Sequence, residues 1–181
     1  MSDHLVTKHA GFQDPSPWIL RWADLAPSGM PVLDLACGGG RHGRVFLDRG
    51  FAVTFLDRDI SAVSDLSDHA GATCLEIDLE AGAPFPLRAH SFGAVIVTCY
   101  LHRPILPDIL NTVAPGGILL YETFAQGNQA YGHPAREAYL LNEGELLDAV
   151  RHSFTVRAYE HGYDATPKPG IRQRICAIRN P

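Results

Sequence analysis

From residue 31 onward the chain alternates short apolar runs with stretches whose apolar residues recur at helical spacing. Residues 31–36 (PVLDLA) read as a buried strand, 37–40 as a turn, and 41–49 as a helix stopped by Gly50. A second strand over 51–56 leads through Asp57-Arg58-Asp59 into a helix over 60–69, and a third strand over 72–77 closes at Asp78. The wholly apolar AVIVT of 94–98 is the fourth strand, 104–113 the helix after it, and Pro115-Gly116-Gly117 the turn into a fifth strand over 118–124. Upstream, Ser16 can cap and Pro17 suits a first helical turn. Trp18, Trp22 and Leu25 then share one face of a helix that ends at Pro27, with the tryptophans packed on a sheet or, alternatively, in contact with a cofactor.

Strands that alternate with helices imply right-handed β-α-β units and a parallel sheet covered on both faces. The tail differs. A helix over 143–152 precedes two alternating runs, 154–160 and 171–178, joined by a short Gly/Pro-rich loop, and such strands must pair antiparallel. The expected fold is therefore α/β, a Rossmann-like doubly wound sheet of five parallel strands plus a C-terminal antiparallel hairpin. It forms a single domain over 14–181 behind a flexible lead-in over 1–13.

Composition narrows the function classes. A net charge of −5, with no run of Lys or Arg longer than two, argues against a nucleic-acid partner. The four cysteines lie far apart beside apolar neighbours, which suggests small buried thiols rather than a zinc knuckle or redox pair. The start of the chain has no apolar core segment of a signal peptide, and no stretch approaches about 18 apolar residues. The expected setting is cytoplasmic, with no membrane partner. The nine histidines include no H-x-x-x-H or H-E-x-x-H spacing, so no metal site is expected.

The densest chemical signal is VLDLACGGGRHG. A strand carrying Asp34 runs through Ala36 and Cys37 into Gly38-Gly39-Gly40, and a helix starts at once. Glycines allow a sharp turn and a close approach of ligand to backbone, and the helix start presents free N–H groups. Dinucleotide enzymes place a pyrophosphate there, which a carboxylate in the strand would oppose. Asp34 instead suits a ligand with an ammonium group, as in S-adenosylmethionine. An acid about 20 residues beyond the loop accepts ribose hydroxyls in this architecture. Asp57, with Arg58 beside it, stands in that window; the alternative is that Asp57 only starts a turn while Asp59 caps a helix. Ile77, Asp78 and Leu79 offer apolar faces and one acceptor for an adenine ring.

On these residues the chain resembles class I S-adenosylmethionine-dependent methyltransferases over residues 16–179. Asp34, Ala36, Gly38 and Gly40 match the family's D/E-x-G-x-G-x-G, with Ala36 in place of the first glycine. Within the superfamily it is similar to compact bacterial enzymes of the tellurite-resistance and thiopurine-methylating type. The resemblance implies that Arg41 or His42 holds the methionine carboxylate; both can equally be helix-start residues.

Ligands of such sheets lie at the carboxyl ends of the strands, where strand order reverses. The fourth strand ends TCYLHRP, so Thr98 and Cys99 are expected beside the methionine amino group, with Tyr100, His102 and Arg103 facing an acceptor. His102 reads either as a base, with Tyr100 the other catalytic candidate, or as an organiser of the loop. Glu122 interrupts the fifth strand near its end. The long connection after it carries Tyr131, His133 and Arg136 as candidate substrate contacts on a lid. The expected activity is in-line methyl transfer to a small molecule by a monomer or homodimer. Alternatives are a methyltransferase for protein or RNA, although no N-P-P-Y-type run follows the fourth strand, and a non-catalytic binder of the cofactor. A nicotinamide dehydrogenase is disfavoured by Asp34.

Overall fold

A computed structural model describes residues 14–181, so the expected lead-in over 1–13 lies outside the described residues. Seven strands form one sheet: β1 (Val32–Leu35), β2 (Val53–Asp57), β3 (Ala72–Glu76), β4 (Phe92–Thr98), β5 (Val113–Phe124), β6 (Phe154–Asp164) and β7 (Gly170–Arg179). Their order is β3-β2-β1-β4-β5-β7-β6. The first five strands are parallel, and β7 runs antiparallel between β5 and β6, as the expected hairpin requires. Strand order reverses between β1 and β4, which pair directly (Asp34 beside Ile96), so the chain ends of both open on one edge.

Side chains alternate across the sheet and build two cores. Val32, Ala94, Ile96, Ile118 and Leu120 face α1 (Pro17–Trp22) and α2 (Arg41–Asp48). Leu33, Val95, Val97, Leu119 and Tyr121 face α3 (Leu106–Thr112) and α4 (Glu145–Val150). This parity decides what happens beyond the last core residue of each strand. Thr98 and Glu122 continue the α1/α2 face, and Thr123 continues the α3/α4 face. Within the described residues no helix is long and apolar enough to cross a membrane.

Three elements and one cysteine depart from the sequence reading. The helix expected over 60–69 is a 3-10 segment, Ser61–Leu66. Only Val63 and Leu66 are buried, an i, i+3 spacing that suits 3.0 residues per turn, and Ser64 Oγ donates to Ser61 O at 2.8 Å in competition with the helical ladder. The helix expected over 143–152 keeps only the six residues of α4. The turn at Pro115-Gly116-Gly117 lies inside β5 as an irregularity: β5 first pairs Val113 with Phe92, bulges at Gly116 (φ +76°), and resumes at Ile118. Cys37 and Cys176 are buried as expected, but Cys99 is exposed, because the chain turns at φ +53° there and carries the thiol out of the core.

Candidate active site

The glycine loop is held by its acids. Asp34 faces α2, where its Oδ2 accepts from Gly43 N at 2.8 Å, and it is 1% exposed. Burial pushes its carboxyl up to about 7, against the pull of the Gly43 N–H and the Arg41 charge. A Cβ on Gly43 would stand 2.3 Å from the buried Phe55 ring and 3.0 Å from Asp34 Oδ2, so the contact needs glycine. Ala36, Gly38 and Gly40 all have positive φ (53°, 52° and 69°). Asp57 Oδ2 accepts from Gly38 N at 2.8 Å and Oδ1 from Asp59 N at 3.2 Å, while Asp59 Oδ1 accepts from Ser61 N at 3.0 Å. Both local turn roles of these acids are therefore present. Asp57 nonetheless keeps half its four lone-pair sites for a ligand.

Two cavities flank the carboxyl edge of the sheet and share Cys99. The first, about 520 Å³, lies on the α3/α4 side. Its wall runs from Ala36 and Gly38 over Asp57 and Arg58 to Ile77, Asp78 and Leu79, and returns through Thr98, Tyr100 and Thr123. Among the described residues the buried Tyr100 hydroxyl has no hydrogen-bond partner, and burial, then the Glu80 and Asp78 charges, pushes its pKa far upward. It stays a phenol across the physiological range.

The second cavity, about 620 Å³, lies on the α1/α2 side, bounded by the segment before α1, by Arg41, and by the ends of β5, β6 and β7. Glu122 forms its floor, where Oε2 accepts from Ser16 Oγ at 2.5 Å. Arg174, opposite Glu122 in the β5–β7 register, stands 3.3 Å from the same oxygen as an ion pair without hydrogen-bond geometry, and also pairs with Asp164 and Glu160. Arg172 is stacked on Phe124 at 4.7 Å and donates to Asp164 at 3.3 Å. Four arginines and four acids border this space, so its charge balances.

Between the cavities His42 ties three elements together. Ser16 N can only donate, so Nε2 accepts from it at 3.2 Å, and the neutral ring carries its proton on Nδ1, 3.2 Å from Thr98 Oγ1. Burial, then the Arg41 charge, pushes His42 down to about 3.

No family model matches the chain. A malonyl-(acyl-carrier protein) O-methyltransferase of Salmonella typhimurium is 30% identical over 168 residues, which cover 85% of this chain and 64% of that protein. A ubiquinone biosynthesis O-methyltransferase of Stutzerimonas stutzeri is 28% identical over 152 residues, covering 77% of this chain and 63% of its own length. The chain thus spans less than two thirds of these relatives. Among solved structures, a Burkholderia thailandensis 1,6-didemethyltoxoflavin-N1-methyltransferase with bound 1,6-didemethyltoxoflavin and S-adenosylhomocysteine superposes with a TM-score of 0.68. It is 19% identical, with 91% of this chain and 77% of that one covered. The chain has the seven-stranded class I methyltransferase fold.

With the class I frame in place, the residues singled out in the sequence divide. Ala36, Gly38, Asp57, Arg58, Ile77, Asp78, Leu79, Thr98 and Cys99 meet around the first cavity, joined there by Tyr100; Arg41 and Glu122 border the second. Asp34, Cys37, Gly39, Gly40 and His42 border neither; they build the loop and its packing from behind. His102 also borders neither cavity. Arg103 reaches instead to Glu145 (2.7 and 2.8 Å) and to the carbonyls of Ala138 and Leu140. Tyr131, His133 and Arg136 line neither, although Pro134 beside them lines the first: Tyr131 stacks on Tyr163 of the hairpin at 5.1 Å, and the His133 carbonyl accepts from Lys168. Sequence reasoning missed Arg172 and Arg174, read Ser16 only as a helix cap, and gave Trp18 only an alternative role as a cofactor contact. One signal was available: Arg172 and Arg174 share strand parity with the buried Cys176, and arginines on an inward face are rarely buried unless paired.

Proposed function

We propose that this chain is a single-domain, S-adenosylmethionine-dependent methyltransferase over residues 14–181 that acts on a small-molecule acceptor and yields S-adenosylhomocysteine. The carrying observation is the first cavity, where Gly38, Asp57 and Asp78 converge at the ends of β1, β2 and β3. The residues fit the cofactor: Asp57 has lone pairs left for ribose hydroxyls, Ile77 and Leu79 supply apolar faces beside the Asp78 acceptor, and Gly38, at φ +52°, brings bare backbone to the cavity wall. Arg41, bordering the second cavity near Cys99, is suited to the methionine carboxylate. When bound, the cofactor supplies a methyl group already activated on a sulfonium.

The chain's own part is alignment and exclusion of water, and effective molarities from positioning reach about 10⁵ M or more. The second cavity then receives the acceptor, with Glu122, fixed by Ser16 and Arg174, placed to accept a hydrogen bond from it. Tyr100 acts as a donor because its phenol keeps its proton. The names of the curated relatives support oxygen as the acceptor atom. Four free cysteines and a charge of −5 support a cytoplasmic monomer or homodimer without a nucleic-acid partner.

Calorimetric titration of the full chain with S-adenosylhomocysteine and with NAD tests the cofactor; binding of the former and not the latter is expected, and the reverse overturns the reading. Asp57→Ala should weaken S-adenosylhomocysteine at least tenfold, since a hydrogen bond to a charged group contributes about 1.5–3 kcal/mol. Release of S-adenosylhomocysteine over a panel of small phenols and carboxylic acids then identifies the acceptor, and turnover confined to a protein or RNA fraction would refute the small-molecule assignment.

A further inference from the structure

The connection after β5, expected as a lid on the acceptor, is built onto the other cavity. Its base is closed, because Ala125 bridges Leu141, Gln126 N donates to Leu141 O at 2.9 Å, and Leu141 N to Phe124 O at 3.0 Å. Loops whose ends meet in this way are compact units. Arg103, from the turn after β4, clamps the returning arm: Nη1 donates to Ala138 O at 3.0 Å and Nη2 to Leu140 O at 2.8 Å. The guanidinium is itself fixed by the Glu145 carboxylate. Both clamped carbonyls flank Tyr139. That residue borders the first cavity, which Tyr100 also lines, yet it is 44% exposed. An exposed aromatic ring at the rim of a cavity that also carries Ile77 and Leu79 is surface that a planar ligand would cover.

We infer that Tyr139 is a wall for the purine ring of the ligand and that Arg103 is the positioning residue that holds it there. This rests on the reading that the first cavity takes the nucleoside part of S-adenosylmethionine. The connection therefore governs cofactor affinity, and acceptor choice is left to the second cavity.

Titration calorimetry of the full chain with S-adenosylhomocysteine and with 5′-methylthioadenosine, which lacks the amino-acid end, tests this. The wild type binds both. Tyr139→Ala weakens both by about tenfold and by the same factor, in line with loss of a base–aromatic stack, and Tyr139→Phe, which keeps the ring, rescues both. Arg103→Ala and Arg103→Lys weaken both probes as well, the lysine lacking the fork that reaches two carbonyls at once. The double variant Arg103→Ala/Tyr139→Ala is no weaker than Tyr139→Ala alone, because Arg103 acts through Tyr139. Unchanged affinities in Tyr139→Ala overturn the wall, and additive losses in the double variant overturn the clamp. A wild type that binds neither probe overturns the cofactor reading itself.

Discussion

Asp34 and His42 are buried on the same side of the glycine loop, and burial displaces them in opposite directions along the pH axis. Asp34, raised to about 7 from 3.8, holds its proton longer in the folded chain, so its contribution to stability is complete below pH 4 and is lost as pH rises through 7. His42, lowered to about 3 from 6.5, contributes stability that is complete above pH 6.5 and is lost as pH falls through 3. Between roughly pH 4 and 6.5 the two slopes, each at most about 1.4 kcal/mol per pH unit, oppose one another. Urea midpoints across this range should therefore rise more steeply with pH in Asp34→Asn than in the wild type, whereas in His42→Gln they should fall with pH. Parallel curves would show that neither group is titrating as its burial implies. Ala36 carries a second residue-scale consequence. At φ +53° a Cβ is strained, which is the physical reason the family motif places glycine there. Ala36→Gly should leave the melting temperature unchanged or raise it, with a gain of up to about 1 kcal/mol.

Among the elements, α2 shows how one missing methyl group sets a distance. Alanine would favour a helix interior over glycine by about 1 kcal/mol, and overpacking of a core costs about 1–3 kcal/mol. At Gly43 the added Cβ would lie 2.3 Å from a fully buried Phe55, so overlap wins over propensity. Gly43→Ala should lower the melting temperature, and a rise would mean that β2 and α2 are free to separate. The start of α1 is bound in a similar way. Ser16 Oγ both caps the helix by accepting from Trp18 N at 3.1 Å and donates to Glu122. Ser16→Ala should cost about 1–2 kcal/mol by denaturant melt, more than an exposed cap, because it also strips a buried carboxylate of a donor.

For the whole molecule, the two cavities meet at Cys99 along the carboxyl edge of the sheet, and variants lining one or the other should separate in kinetics. Asp57→Ala, on the first cavity, is expected to raise the dissociation constant of S-adenosylhomocysteine. Glu122→Gln, on the second, should leave that constant near its wild-type value while lowering kcat/KM for the acceptor at least tenfold. Loss of cofactor affinity in Glu122→Gln would merge the two spaces into one site.

The amino-acid sequence alone determined the strand and helix alternation, the antiparallel hairpin, the glycine loop and the acids Asp57 and Asp78 at strand ends. These are local facts, because a strand end fixes where its next residue must lie. It also marked Glu122 as an acid at the close of an apolar strand. Tertiary structure alone decided which face each residue served. Strand parity turned Asp34 inward and the packing of α2 turned His42 inward as loop supports, the closed connection after β5 brought Pro134 and Tyr139 rather than Tyr131, His133 and Arg136 to a cavity wall, and the β5–β7 register set Arg174 against Glu122 across 52 positions of chain. Such pairings depend on contacts distant in sequence, and no periodicity within a single segment encodes them.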